Sequence, residues 1–149
     1  MITVADLTGD GWADLLAVIG RTGQLYVYPG NGRGGFLPRR LYGTGWGTMR
    51  DVVALGDWDG DRKGDILGVL RDGTAYVYPG NGRGGFRGGR VKIATPFDQW
   101  PTLVGLPGTA AIFGLDSAGN GYMIRRHGTS TVRSTKVAPN FRGLEVYAG

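Results

Sequence analysis

The sequence predicts an all-β protein built from repeated units of four short antiparallel strands. Glycine supplies 30 of the 149 residues, roughly three times its usual share of about 7%. Each glycine inside a helix costs about 1 kcal/mol relative to alanine, whereas glycine suits the turns between strands. Hydrophobic residues make up 41% of the chain, so the sequence can form a packed core and does not have the composition of a disordered chain.

An internal repeat is the second observation. The segment Tyr28-Pro-Gly-Asn-Gly-Arg-Gly-Gly-Phe36 returns unchanged 50 residues later, from Tyr78 to Phe86. A third, weaker copy includes residues 109–124. A period of this length is typical of repeat architectures. We therefore predict one domain over residues 1–149, with repeats at 1–50, 51–98 and 99–142 and a spare strand at 143–149.

The third observation is a set of short β-rich segments bounded by Gly, Asp, Asn or Pro. In the second repeat they predict strands at 51–56, 65–70, 74–78 and 90–94. Asp72-Gly73 between the second and third predicts a two-residue hairpin turn with positive φ. Four antiparallel strands per repeat are typical of β-propeller blades.

About three blades are encoded, whereas propellers close with about four to eight. We expect the chain either to be part of a larger propeller or to form a homo-oligomer. Of these, the homo-oligomer is favoured: a dimer would give six blades around a two-fold axis. The spare strand, at 144–148, would then add to the partner's sheet.

Aspartates are concentrated between the first and second strands. In the second repeat, Asp57-Trp-Asp-Gly-Asp-Arg-Lys-Gly-Asp65 places carboxylates at loop positions 1, 3, 5 and 9. Ca²⁺ takes about six to eight hard oxygen ligands, and nearby carboxylates repel one another without a cation. The predicted ligands are Asp57, Asp59, Asp61, Asp65 and the Lys63 carbonyl.

The first repeat offers a weaker version of this loop. Its predicted ligands are Asp6, Thr8, Asp10, Asp14 and the Trp12 carbonyl. The third repeat has Gly105-Leu-Pro-Gly108 in this place, so we predict no metal there. About two structural Ca²⁺ per chain follow. An EF-hand is excluded because no Glu stands at loop position 12 and no helices flank the loop. The alternative is that these are ordinary Asp/Gly turns.

The aspartate loop, the hairpin and the Gly-Gly-Phe that follows resemble the FG-GAP/VCBS repeat of integrin-type β-propellers. Tyr42-Gly-Thr-Gly-Trp46 resembles the variant common in secreted actinobacterial proteins. The resemblance covers nearly all of the first two repeats. It implies calcium in the aspartate loops, adhesion or ligand binding, and a secreted or extracellular protein, although residues 1–6 predict no signal peptide.

An enzyme is not predicted, because His127 is the sole histidine and no serine has a Gly-x-Ser-x-Gly context. The favoured function is a calcium-stabilised, lectin-like carbohydrate-binding module. Its candidate ligand-binding residues are Tyr42, Trp46, Phe97 and Trp100 between blades and Asn31, Arg33, Asn81 and Arg83 in the repeated loops. The structural alternative is that the aromatic rings pack between blades and the arginines are solvated.

A protein–protein interaction or assembly module is the rival interpretation. Polyanion binding is less favoured: two Ca²⁺ would raise the net charge from +5 to about +9, but the arginines are scattered and no nucleic-acid motif is present. No apolar run approaches the roughly 20 residues of a membrane helix, so no membrane contact is predicted.

Overall fold

The computed structural model describes residues 2–106 and 108–138, which form three four-stranded antiparallel sheets. The prediction of an all-β protein with blades of four antiparallel strands is confirmed. The first blade contains β1 Ile2–Ala5, β2 Asp14–Ile19, β3 Gln24–Tyr28 and β4 Arg40–Gly43. The second contains β5 Met49–Gly56, β6 Asp65–Leu70, β7 Ala75–Tyr78 and β8 Val91–Ile93. The third contains β9 Thr102–Leu106, β10 Ala111–Leu115, β11 Gly121–Arg126 and β12 Val132–Ala138.

The hairpin between β6 and β7 corrects one prediction. Residues 71–74 form a four-residue connection, in which the Leu70 N–H donates to the Thr74 carbonyl at 2.8 Å. Of this loop, only Gly73 has positive φ, at 81°. The Asp72 carboxylate accepts a 2.9 Å hydrogen bond from the Thr74 N–H. The Gly73 N–H donates to the Leu70 carbonyl at 3.1 Å, so Arg71 and Asp72 are the central residues of a turn in which Gly73 alone takes the left-handed conformation.

The first strands of consecutive blades lie side by side, which places the blades next to one another as in a propeller that is not closed. The Ala54 N–H of β5 donates to the Thr3 hydroxyl of β1 at 3.1 Å. The backbones of β5 and β9 are also in close contact, since a Cβ built on Gly105 would lie 2.0 Å from the Ala54 carbonyl oxygen. Glycine is therefore required at this contact.

Each blade has two faces because side chains alternate along its strands. In the middle blade, we call the face turned to blade 1 the front face and the face turned to blade 3 the back face. The equivalent faces of blades 1 and 3 take the same names. One core cluster lies between the back of blade 1 and the front of blade 2, and it includes Leu16 of blade 1 and Ile66 of blade 2. A second lies between the back of blade 2 and the front of blade 3, where Leu67 and Ile112 belong to one cluster.

Connections between blades contribute aromatic side chains to these cores. Tyr42 and Trp46, the latter at the start of the 3₁₀ turn Trp46–Thr48, are buried in the first cluster. Phe97 and Trp100 are buried in the second. The predicted spare strand at 143–149 lies outside the described residues. Among the described residues, no helix is long and apolar enough to cross a membrane.

Candidate metal centre in the second aspartate loop

The loop between β5 and β6 is shaped by its own carboxylates. Asp57 accepts hydrogen bonds from the backbone N–H groups of Gly60 at 2.7 Å and Arg62 at 2.9 Å. Asp59 accepts one from the Asp61 N–H at 3.2 Å, and Asp61 accepts one from the Lys63 N–H at 3.0 Å. Gly60 has φ of 93°, in agreement with the sharp turn predicted there. These bonds fix the direction of each carboxylate.

The result is a cluster of three acidic groups. Asp57, Asp59 and Asp61 each offer an oxygen within 4.8 Å of the others, and all three residues are half-buried. Carboxylate oxygens are the ligands that hard divalent cations prefer. The cluster could therefore hold a metal ion, and its donor set fits the predicted Ca²⁺.

Two basic side chains already face this cluster. Arg87 forms ion pairs with Asp59 and with Asp61, the latter at 2.8 Å. The Lys63 ammonium lies 3.2 Å from Asp61. Partial burial would raise the pKa of Asp61, but the hydrogen bonds and charge of Lys63 and the charge of Arg87 outweigh it and lower that pKa. An incoming cation would therefore compete with both basic groups for the same oxygens.

Asp65 has a different environment from the other predicted ligands of this loop. It is fully buried, and its two oxygens accept hydrogen bonds from the backbone N–H groups of Trp58 at 2.8 Å, Asp59 at 3.2 Å and Gly80 at 2.9 Å. Burial raises its pKa despite these bonds. In this geometry Asp65 joins the aspartate loop to the glycine-rich loop 80–85, and its role as a metal ligand stays a prediction, as does that of the Lys63 carbonyl.

The first aspartate loop shares the pattern but gathers fewer charges. Asp6 accepts hydrogen bonds from two backbone N–H groups, and Asp10 accepts one from the Trp12 N–H at 2.9 Å. Buried Asp14 binds the N–H groups of Leu7, Thr8 and Gly30, as Asp65 does in its own loop; the Thr8 hydroxyl also donates to it at 3.3 Å. Within the described part of the chain, only the second loop brings three acidic side chains close enough together to hold a metal ion.

The structure buries all four aromatic residues predicted to bind a ligand. Tyr42, Trp46, Phe97 and Trp100 are each at most 6% exposed. Trp46 and Phe86 stack with ring centroids 5.6 Å apart, and Phe97 meets Trp100 edge to face at 5.3 Å. These rings stabilise contacts between blades, as the structural alternative expected, and none of them presents a face to solvent.

The polar candidates in the repeated loops divide into two kinds. Asn31 accepts hydrogen bonds from the Arg33 and Gly35 N–H groups, and Asn81 makes the same pair of bonds in the second repeat. Both asparagine side chains therefore hold their own loops in shape. The side chains of Arg33 and Arg83 are exposed.

Two features of these sites escape the sequence reasoning. Arg87 directly follows the repeated nine-residue segment at the position where the first repeat has Leu37, so a difference between the repeats was the available signal. Trp12, predicted to serve only through its carbonyl, has a side chain that is 54% exposed. It borders a cavity of about 370 Å³ together with Phe36 and the glycine-rich loop.

Three four-stranded sheets placed side by side, the first two with acidic loops between their first and second strands, define a protein of the β-propeller repeat class. A sequence model of the FG-GAP-like repeat matches residues 6–68, which include the first aspartate loop, the second and the start of β6. Residues 6–68 therefore contain an FG-GAP-like repeat, which confirms the resemblance over this part of the chain. No curated protein matches the sequence significantly.

Proposed function

We propose that the chain is a non-enzymatic interaction module stabilised by calcium in its second aspartate loop. The convergence of Asp57, Asp59 and Asp61 carries the calcium part of this proposal. FG-GAP repeats often bind calcium, are generally non-catalytic and are typically extracellular, which supports the same properties here. Bound Ca²⁺ would supply the positive charge that Arg87 and Lys63 now provide. The first loop, with fewer converging carboxylates, would bind more weakly.

A protein partner is the favoured ligand of this module. The four aromatic residues predicted to bind a sugar are buried between blades, and the two loop asparagines are engaged with their own backbone. The first blade instead exposes apolar side chains, including Phe36 at 52% and Leu37 at 51%. Contiguous exposed apolar patches are a mark of protein interaction sites.

Replacing Arg87 by Leu is expected to raise the calcium affinity of the second loop about three- to tenfold, because the ion no longer displaces two ion pairs. Leucine is the residue that the first repeat has at this position. Isothermal titration calorimetry at low salt measures the affinity, with Arg83→Leu as a matched control. This variant removes an equal charge from the glycine-rich loop just before Arg87 but leaves the ion pairs of Arg87 with Asp59 and Asp61 in place. Asp59→Asn should abolish the stronger site. A wild-type chain that shows no heat with millimolar Ca²⁺ and no change in melting temperature with a chelator would contradict the calcium proposal.

Carbohydrate binding is the second candidate, favoured by the exposed Trp12 ring beside the first glycine-rich loop. A glycan array probed with the wild-type chain and with Trp12→Ala, each with and without chelator, separates the two candidates. For a protein-binding module we expect no glycan to be retained. Binding of a sugar class that Trp12→Ala abolishes, in a variant with an unchanged melting temperature, would instead establish the lectin function.

A further inference from the structure

We propose that the front face of blade 1 binds the back face of blade 3 in a second copy of this chain. The proposal rests on the interaction function above and names its partner. It starts from the observation that the first and second blades have closely similar sequences but different exposure. Their comparison shows which surface lacks a neighbour among the described residues.

The second strand of the middle blade, β6, is buried on both faces. In β6, Ile66 on the front face and Leu67 on the back face are both fully buried. In the equivalent strand β2, Leu16 on the back face is buried, whereas Leu15 and Ala17 on the front face are partly exposed. The front face of blade 1 is therefore apolar like that of blade 2, but only one of them is covered.

The same contrast appears at the repeated phenylalanine. Phe86 packs against rings from the preceding blade and its connection, with its centroid 4.7 Å from Tyr42 and 5.6 Å from Trp46. Phe36 closes an identical nine-residue segment, yet it is 52% exposed. Since the local sequence is the same, the neighbouring blade accounts for the difference.

The glycine-rich loops agree with this comparison. In blade 2, the Gly84 N–H donates to the Leu7 carbonyl of blade 1 at 3.1 Å, and a Cβ on Gly84 would contact Val27 and Thr8 of that blade. A Cβ on Gly34, the equivalent residue in blade 1, would have no atom within 4 Å among the described residues. The front face of blade 1, defined by Leu15, Ala17, Phe36 and Gly34, thus has the shape of a blade interface without its partner.

The matching surface is the back of blade 3. On blade 2 the back-face residues Val53 and Leu55 of β5 are buried against blade 3. Their counterparts in β9, Val104 and Leu106, are partly exposed, whereas Ala111 and Leu115 of β10, beside this strand on the same face, are buried. The chain continues beyond this blade with residues 139–149.

A second copy is the occupant that fits, because a back-to-front contact already joins each pair of consecutive blades. Any chain with one open front face and one open back face of this kind can bind itself head to tail. Two chains of three blades would bury all four open faces and give six blades, within the usual range of about four to eight for a closed propeller.

Sedimentation equilibrium of the full chain tests the proposal. The wild-type chain should have twice the 15.8 kDa of one copy, about 31.6 kDa. Phe36→Glu should shift it to the single-copy mass with an unchanged circular dichroism spectrum. Val91→Glu, at an exposed position on the outer strand of the middle blade, is the matched control and should remain a dimer.

A complementation experiment provides the second measurement. Val104→Arg should also give single copies, and mixing it with Phe36→Glu should restore a dimer through the one interface that both variants leave intact. A wild-type chain that stays at 15.8 kDa at about 100 μM, or a Phe36→Glu variant that stays dimeric, would overturn the proposal. A monomer that still binds calcium or a different protein would leave the proposed function standing while this inference fails.

Discussion

Replacing Asp65 by Ala is expected to lower the free energy of unfolding by about 3–5 kcal/mol. The buried carboxylate accepts hydrogen bonds from the backbone N–H groups of Trp58, Asp59 and Gly80, and leaving a buried donor without a partner costs about 1–3 kcal/mol. Urea unfolding followed by circular dichroism measures the loss. It should persist in the presence of a chelator, because these three hydrogen bonds do not depend on a bound ion.

Two further variants make this prediction specific. Asp65→Asn keeps one oxygen acceptor and should lose less stability than Asp65→Ala. Asp14→Ala should lose a comparable amount, since Asp14 accepts hydrogen bonds from three backbone N–H groups in the first blade. A loss below about 1 kcal/mol for Asp65→Ala would contradict the stabilising role given to these three hydrogen bonds.

The second large effect is expected for Gly105→Ala, which should lower the free energy of unfolding by about 3 kcal/mol or more. The added Cβ would lie 2.0 Å from the Ala54 carbonyl oxygen and 2.9 Å from a methyl group of Val53. Because the nearest atom belongs to the backbone of β5 and not to a flexible side chain, blade 3 would have to move away from blade 2. The same urea unfolding experiment measures this loss.

Gly20→Ala is the matched control for that clash. Gly20 lies between β2 and β3, has no positive φ, and a Cβ there would have no atom within 4 Å among the described residues. Its substitution should change stability by no more than about 0.5 kcal/mol. Similar losses for the two alanine variants would show that the distance between β5 and β9 is not what requires glycine.

The strands could be predicted from the sequence because their signals are local. From turn residues and a period of 50 residues, β6 was predicted at 65–70, where the structure has it. The strand predicted at 74–78 corresponds to β7, which begins one residue later. The acidic cluster was predictable for the same reason, since its spacing lies within a single loop. Within that loop, Gly60 also adopts the conformation that the sequence indicated.

The burial of the four aromatic residues predicted to bind a ligand could not be derived from the sequence, because the exposure of a side chain depends on contacts between blades. Trp46 packs 4.5 Å from Tyr78, a residue of the next repeat, and Trp100 contacts Tyr122 of the third. Arg87 was missed for a related reason: its partners Asp59 and Asp61 are more than 25 residues away in the chain. Local spacing contains no information on either contact.

The burial of the middle blade on both faces has a consequence for the order of unfolding. In a linear array whose units contact only their neighbours, an end unit loses one interface when it unfolds and the central unit loses two. In a single copy of the chain, opening should therefore begin at blade 1 or blade 3 and not at blade 2. The acidic cluster Asp57–Asp61, which belongs to the central unit, would then keep its native geometry during this first step of unfolding.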